Sequence, residues 1–181
     1  RKKNRGREVS VKADHTSRPL RIGLISRSFK THPVGWMISG LLVEACDSKS
    51  IQFILFDLEQ KRDFISKTIQ EVGGQSYFDL TQANESQILE ALDKADLDIL
   101  IDLEGHQPNN HLDIYRLLDG PLIIKWIGGL VNSTFISYFD GILTDPHQTP
   151  IESDKQYSEL VIRLPHCYVT YTPPPYRIES T

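Results

Sequence analysis

Sulfur is scarce in this sequence, which has two cysteines, Cys46 and Cys167, and one methionine among 181 residues. Two cysteines cannot build the disulfide framework of a small secreted domain, and they lack the CxxC spacing of a metal knuckle. A reducing, cytoplasmic setting is therefore the expectation. No apolar run approaches the ~20 residues of a membrane span. The longest, Ile51–Phe56 and Leu97–Leu103, are short, so no membrane partner is expected. No GxGxxG opens a helix after the first strand pattern, and no GxxxxGK[ST] occurs. Dinucleotide and nucleoside-triphosphate sites of those kinds are unsupported. Internal repeats are absent as well. The chain starts on Arg1 rather than Met and shows no signal-peptide pattern, which reads as a piece of something longer.

What is present is ordinary for a globular chain: 39% hydrophobic and 24% charged residues, enough for one domain with a real core. Charge is uneven. Ten Lys and Arg against two acids leave +8 in residues 1–30, and a total of −4 puts −12 on the remainder. No aromatic residue interleaves with the basic stretch before Pro19, and the body is acidic, so no nucleic-acid partner is expected. Residues 1–18 read as a basic linker. Residues 19–175 read as one domain, and 176–181 as a tail.

Strand and helix patterns alternate along that domain. Leu20–Ser26 reads as a buried strand, and Gly35–Asp47 as a helix with Met37, Ile38, Leu41, Leu42 and Ala45 on one face. Ile51–Asp57 is a second strand. Arg62–Val72 is a helix stopped by Gly73 and Gly74. Ser76–Leu80 is a short strand. Asn84 with Gln87 forms a capping box for a helix carrying Ile88, Leu89, Leu92 and Ala95. Leu97–Leu103 has little alternation and reads as a central strand covered on both faces. A helix over 110–118 follows, then strands at Pro121–Ile127, Tyr138–Leu143 and, on an edge, Leu160–Leu164. This order implies βαβ units: an α/β fold with a mostly parallel sheet and helices on both faces.

In an open parallel sheet, ligands bind beyond the carboxyl ends of the strands. Three loops then stand out: Arg27–Gly35, Glu104–Asn110 and Gly128–Thr134. The first carries His32, which suits acid, base or hydrogen-bond donor work, or simply caps the helix that follows. The second is dense in hydrogen-bonding groups, as sugar binding requires. Its Asp102, Glu104, His106 and His111 do not complete a metal set, and no metal is expected. The third has paired glycines that permit close backbone approach.

The segments RPLRIGLISRSFKTHPVGWM, LDILIDLEGHQPNN, IIKWIGGL, FDGILTDPHQTP and YSELVIRLPHCYVTYTPPP occur in that order. Together they resemble the N-terminal catalytic lobe of the O-GlcNAc transferase and SPINDLY family. The resemblance implies a Rossmann-like lobe of a two-lobed GT-B fold, with tetratricopeptide repeats upstream. It implies transfer of a sugar from a UDP-sugar to hydroxyls of a protein acceptor, with the nucleotide held mainly by a C-terminal lobe. No other cofactor is implied. His32 and Pro33 match the family's active-site His-Pro. Gly105 and His106 match a Gly-His word, Ile127 and Gly128 a Leu-Gly pair near the donor sugar, and Leu164–His166 a structural segment. The implied roles are catalytic for His32 and substrate-binding for Pro33, Gly105, His106, Ile127 and Gly128. The chain departs from the family where Asp usually stands, at Ser28. It departs again where Arg stands, at His111, and in Gly128–Asn132, which replaces Gly-Tyr-Pro-Gly-Thr. These departures set an alternative beside the transferase reading: a degenerate binding or scaffold module. As an isolated lobe the chain is expected to be inactive, and its exposed cleft face offers a surface for a homodimer.

Overall fold

The computed structural model describes residues 18–129 and 132–170. Residues 1–17 of the basic linker, Leu130–Val131 of the third loop, and residues 171–181 with the tail lie outside the described residues. Seven strands form one sheet: β1 (Leu20–Ser26), β2 (Ile51–Asp57), β3 (Tyr77–Asp79), β4 (Ile99–Asp102), β5 (Leu122–Lys125), β6 (Gly141–Thr144) and β7 (Leu160–Arg163). Their order is β3-β2-β1-β4-β5-β6-β7, and all six pairings are parallel. The sheet is thus fully rather than mostly parallel. The chain winds outward from β1 to β3, returns, and winds outward the other way from β4. The reversal falls between β1 and β4.

Side-chain alternation sorts the core onto two faces. Ile22 and Leu24 of β1 pack with Ile38 and Leu42 of helix α1 (Pro33–Ala45) and with Ile65 and Ile69 of α2 (Phe64–Gly73). Ile25, Phe56 and Leu100 face the other way, onto Ile88 and Leu92 of α3 (Glu85–Lys94). Each such fully buried aliphatic side chain contributes about 2 kcal/mol. The helix starts are written locally. Asp63 accepts from the N–H groups of Ile65 and Ser66, while Ser66 Oγ accepts from Asp63 N–H. Asn84 and Gln87 form the same reciprocal box at α3.

Three segments depart from the sequence reading. The helix expected over 110–118 is a 3-10 turn, Leu112–Leu117. Leu112, Tyr115 and Leu118 are all buried. Their spacing of three matches a 3-10 period and not an α one. The strand expected from Tyr138 begins at Gly141, because Asp140 first engages Ile123: its N–H donates to the Ile123 carbonyl, and its carboxylate accepts from Ile123 N–H. A further 3-10 turn, Ile151–Gln156, is not foreseen by the sequence reading. It buries no residue, so it leaves no hydrophobic period to read.

Every strand starts on a residue without charge and ends on a polar one. The last residues are Ser26, Asp57, Asp79, Asp102, Lys125, Thr144 and Arg163. Parallel pairing collects all seven at one edge.

Candidate functional site

The loops after β1, β2 and β4 meet at that carboxyl edge, around the point where the winding reverses. They enclose a cleft of about 280 Å³. Arg27, Ser28, Lys30 and His32 form one wall, Leu58, Glu59 and Gln60 another, and Glu104, Gln107 and Pro108 the third. The rule that picks out carboxyl-edge loops thus finds its crevice. It also brings in the loop after β2, which the sequence reading passed over. The signal was available: the same rule applies to β2, and Glu59 follows directly on the run that ends at Asp57.

His32 is exposed and caps α1. Its Nδ1 accepts from Val34 N–H at 3.3 Å. In the neutral ring the hydrogen then sits on Nε2, which is a donor. Pro33 occupies the first helical position, where a missing N–H costs nothing. The loop before it is held from the α2 side. Thr31 N–H donates to Asp63 at 2.7 Å, and the Lys30 ammonium pairs with Glu59.

Glu104 ties the first loop to the second. Its Oε1 accepts from Ser26 Oγ at 2.6 Å and from Arg27 N–H at 2.8 Å. Arg27 in turn donates to the Asn109 carbonyl at 2.9 Å and reaches His111 Nε2 at 2.6 Å. His111 must therefore present Nε2 as an acceptor. Burial, and then the Arg27 cation, hold its pKa below the usual imidazole value. Its buried Nδ1 has no hydrogen-bond partner and lies 3.9 Å from Glu85 Oε1.

Behind the second loop lies Asp102, 1% exposed. It accepts from Tyr115 OH at 2.7 Å and from Gly105 N–H at 2.5 Å. Burial pushes its pKa up to about 6, against the pull of those hydrogen bonds. Lys125 lies opposite Asp102 on the next strand and donates to the Asn132 carbonyl at 2.9 Å. Burial lowers its pKa, with Asp102 and Glu159 opposing.

Gly105, His106, Ile127 and Gly128 do not line the cleft itself. They join the second loop to the third behind it. Gly105 has φ +58°, and a Cβ there would stand 2.9 Å from Lys125 Cε. A Cβ on Gly128 would stand 1.9 Å from the Leu103 carbonyl oxygen, so only glycine permits this contact. His106 Nε2 donates to the Thr134 carbonyl at 2.9 Å. Ile127 is the surprise. It has φ +64°, and Gly128 N–H bonds the Trp126 carbonyl at 2.7 Å. That is a left-handed γ-turn on a β-branched residue, a conformation that costs on the order of 1–3 kcal/mol and collects at functional sites. Nothing in a sequence announces it. Beyond this turn Glu159 fastens Ser133 and Thr134. Its burial raises the pKa, but the hydrogen bonds from Thr134 and Ser133 win and hold it low. Near the end, Tyr168 accepts from Trp126 Nε1 at 2.7 Å through its carbonyl. Leu164, Pro165 and His166 stay away from the cleft. Among the described residues no group of three or more His, Cys, Asp or Glu is placed to hold a metal ion. Among the same residues no helix is long and apolar enough to cross a membrane.

The wound parallel sheet and the polar cleft at its reversal define a Rossmann-like α/β lobe with that cleft on its carboxyl edge. The chain belongs to glycosyl transferase family 41, whose profile matches residues 6–171. It is 30% identical over 163 residues to an Arabidopsis thaliana protein named "Probable UDP-N-acetylglucosamine--peptide N-acetylglucosaminyltransferase SPINDLY", covering 87% of this chain and 17% of that protein. The corresponding SEC protein of Arabidopsis thaliana is 23% identical over 160 residues, covering 88% and 16%. Among solved structures, a mutant O-GlcNAc transferase of Thermobaculum terrenum superposes with a TM-score of 0.82 at 26% identity, over 93% of this chain and 32% of that one. The fold is that of one lobe of a GT-B enzyme, and the chain spans about a sixth of the curated relatives' length.

Proposed function

We propose that this chain is the N-terminal lobe of a UDP-sugar-dependent protein O-glycosyltransferase, running from residue 19 to 175 between a basic linker and a tail that leads into a second lobe. The reading rests on one observation above the rest: His32 lines a polar cleft at the reversal of a family 41 sheet. The cleft takes the sugar and the acceptor hydroxyl, and the second lobe holds most of the nucleotide. His32 acts through Nε2–H as a donor to a ligand oxygen, since Nδ1 is committed to Val34 N–H. Pro33 fixes the helix start beneath it. Gly105 and His106 shape the second loop, and Ile127 with Gly128 sets the turn that approaches the donor sugar. The setting is cytoplasmic. Phe135, 78% exposed beside the third loop, belongs to the face that the second lobe covers. Alone, the lobe has one wall of its cleft and does not turn over, because neither water exclusion nor donor alignment is complete.

The test is transfer of label from UDP-N-acetylglucosamine, the donor in the relatives' names, to protein by the full-length enzyme. His32→Ala should lower kcat/KM by about 100-fold, or about 2.7 kcal/mol, with the circular dichroism spectrum unchanged. Equal activity would sink the role of His32. A second reading, a binding module without turnover, is favoured by Ser28 standing where the family carries Asp. Under it the wild-type protein transfers nothing, and His32→Ala leaves its biological activity intact.

A further inference from the structure

The family's acidic residue four positions before the histidine is missing here, yet the cleft is not without carboxylates. Two line it, Glu59 and Glu104. Glu59 is spent: Oε2 pairs with the Lys30 ammonium, and Oε1 accepts from Lys61 N–H at 2.7 Å. Glu104 is divided. Both of its hydrogen bonds, from Ser26 Oγ and Arg27 N–H, fall on Oε1. Among the described residues Oε2 receives none, and it is not among the buried polar atoms that lack a partner. An oxygen without a protein partner, on a side chain that lines the cleft, is an acceptor offered to whatever enters. A fixed carboxylate binds hydroxyl groups strongly, because a charge-assisted hydrogen bond is roughly twice as strong as a neutral one.

We infer that Glu104 is a substrate-binding residue: Oε1 anchors the loop after β1, and Oε2 accepts a hydrogen bond from a ligand hydroxyl, supplying from the loop after β4 the carboxylate that Ser28 does not. The inference rests on the transferase reading. Ser28 lines the cleft from the same wall as His32 and Glu104 from another, so a carboxylate at either position lies on the one cleft.

The experiment uses the full-length protein and UDP-N-acetylglucosamine. Glu104→Gln retains a carbonyl for Ser26 and Arg27 and removes the charge. It should lower kcat/KM by roughly 10- to 100-fold. A rise in KM for the UDP-sugar alone assigns the hydroxyl to the donor, and a loss in kcat or in acceptor KM assigns it to the acceptor. Ser28→Asp added to Glu104→Gln should recover most of the loss. Ser26→Ala, which removes one of the two hydrogen bonds to Oε1 but keeps the carboxylate, measures the merely structural effect and should be several-fold milder. Activity of Glu104→Gln within about threefold of wild type overturns the inference. So does a loss that Ser28→Asp does not reverse, or one that Ser26→Ala equals. A wild-type protein that neither transfers label nor binds the donor by calorimetry sinks the transferase reading and this inference together. An active wild type with an unaffected Glu104→Gln sinks the inference alone.

Discussion

At the amino edge of the sheet the strands begin on Leu20, Ile51, Tyr77, Ile99, Leu122, Gly141 and Leu160; at the carboxyl edge they end on Ser26, Asp57, Asp79, Asp102, Lys125, Thr144 and Arg163. The amino edge makes its polar contacts near the surface, as Arg18 does with Asp98 at 2.7 Å and Arg21 with the Ala95 carbonyl. The carboxyl edge buries the polar ends of its five inner strands. Asp57, Asp102, Lys125 and Thr144 are each no more than 3% exposed. Buried charge is costly unless it is fully partnered. Partners are what the surrounding elements provide: Tyr115 and Gly105 for Asp102, Arg62 and Tyr77 for Asp57. One edge of the lobe holds it together cheaply, and the other spends stability to hold loops in fixed positions.

Breaking the costly edge should therefore show the largest effect. Asp102→Ala leaves Tyr115 OH and Gly105 N–H without their buried acceptor, and denaturant unfolding should register a loss of about 4 kcal/mol. A loss under about 1 kcal/mol would erase the contrast between the edges. The same residue sharpens the comparison through pH. Its folded pKa of about 6 lies above the ordinary carboxylate value, so the fold favours the protonated form. That contribution is complete below the unfolded pKa and is lost as pH rises through about 6. Between pH 4 and 7 the wild type should lose roughly 2–3 kcal/mol relative to Asp102→Asn, followed by urea titration at each pH. A difference that stays flat would show that the carboxylate is already ionised at the low end. The smallest effect belongs to the amino edge. Arg18→Ala should lower the melting temperature least of the three changes, and the drop should shrink in high salt, as a partly exposed ion pair requires.

Much of this was legible in the chain. Uninterrupted runs such as Ile-Leu-Phe mark strands covered on both faces, and the capping box at Asn84 fixes a helix start to the residue. The rule that ligands gather at carboxyl ends located two of the three cleft walls. What escaped reading depends on through-space partners. The Leu112–Leu117 turn looks like a helix because a spacing of three and a spacing of four overlap over so few residues. Glu104 looks like one more polar loop residue until Ser26 and Arg27 arrive from a strand far earlier in the chain. The left-handed Ile127 defies its own side chain's preference, and only the fold around it makes that conformation tolerable. The loop after β2 was within reach of the carboxyl-end rule, but that it faces the loop after β1 follows only from the pairing of β1 with β2.

The placement of β1 between β2 and β4 has a bearing on how the lobe is made. Ile22 finds Ile51's neighbours on one side early, but on the other it must wait for Ile99. Pairings of such long sequence separation form slowly. A chain emerging from the ribosome can assemble β1, β2 and β3 with their two helices while the opposite flank of β1 stays bare. The polar cleft is thus among the last parts to be born, closing only once the residues past Glu104 have left the exit tunnel.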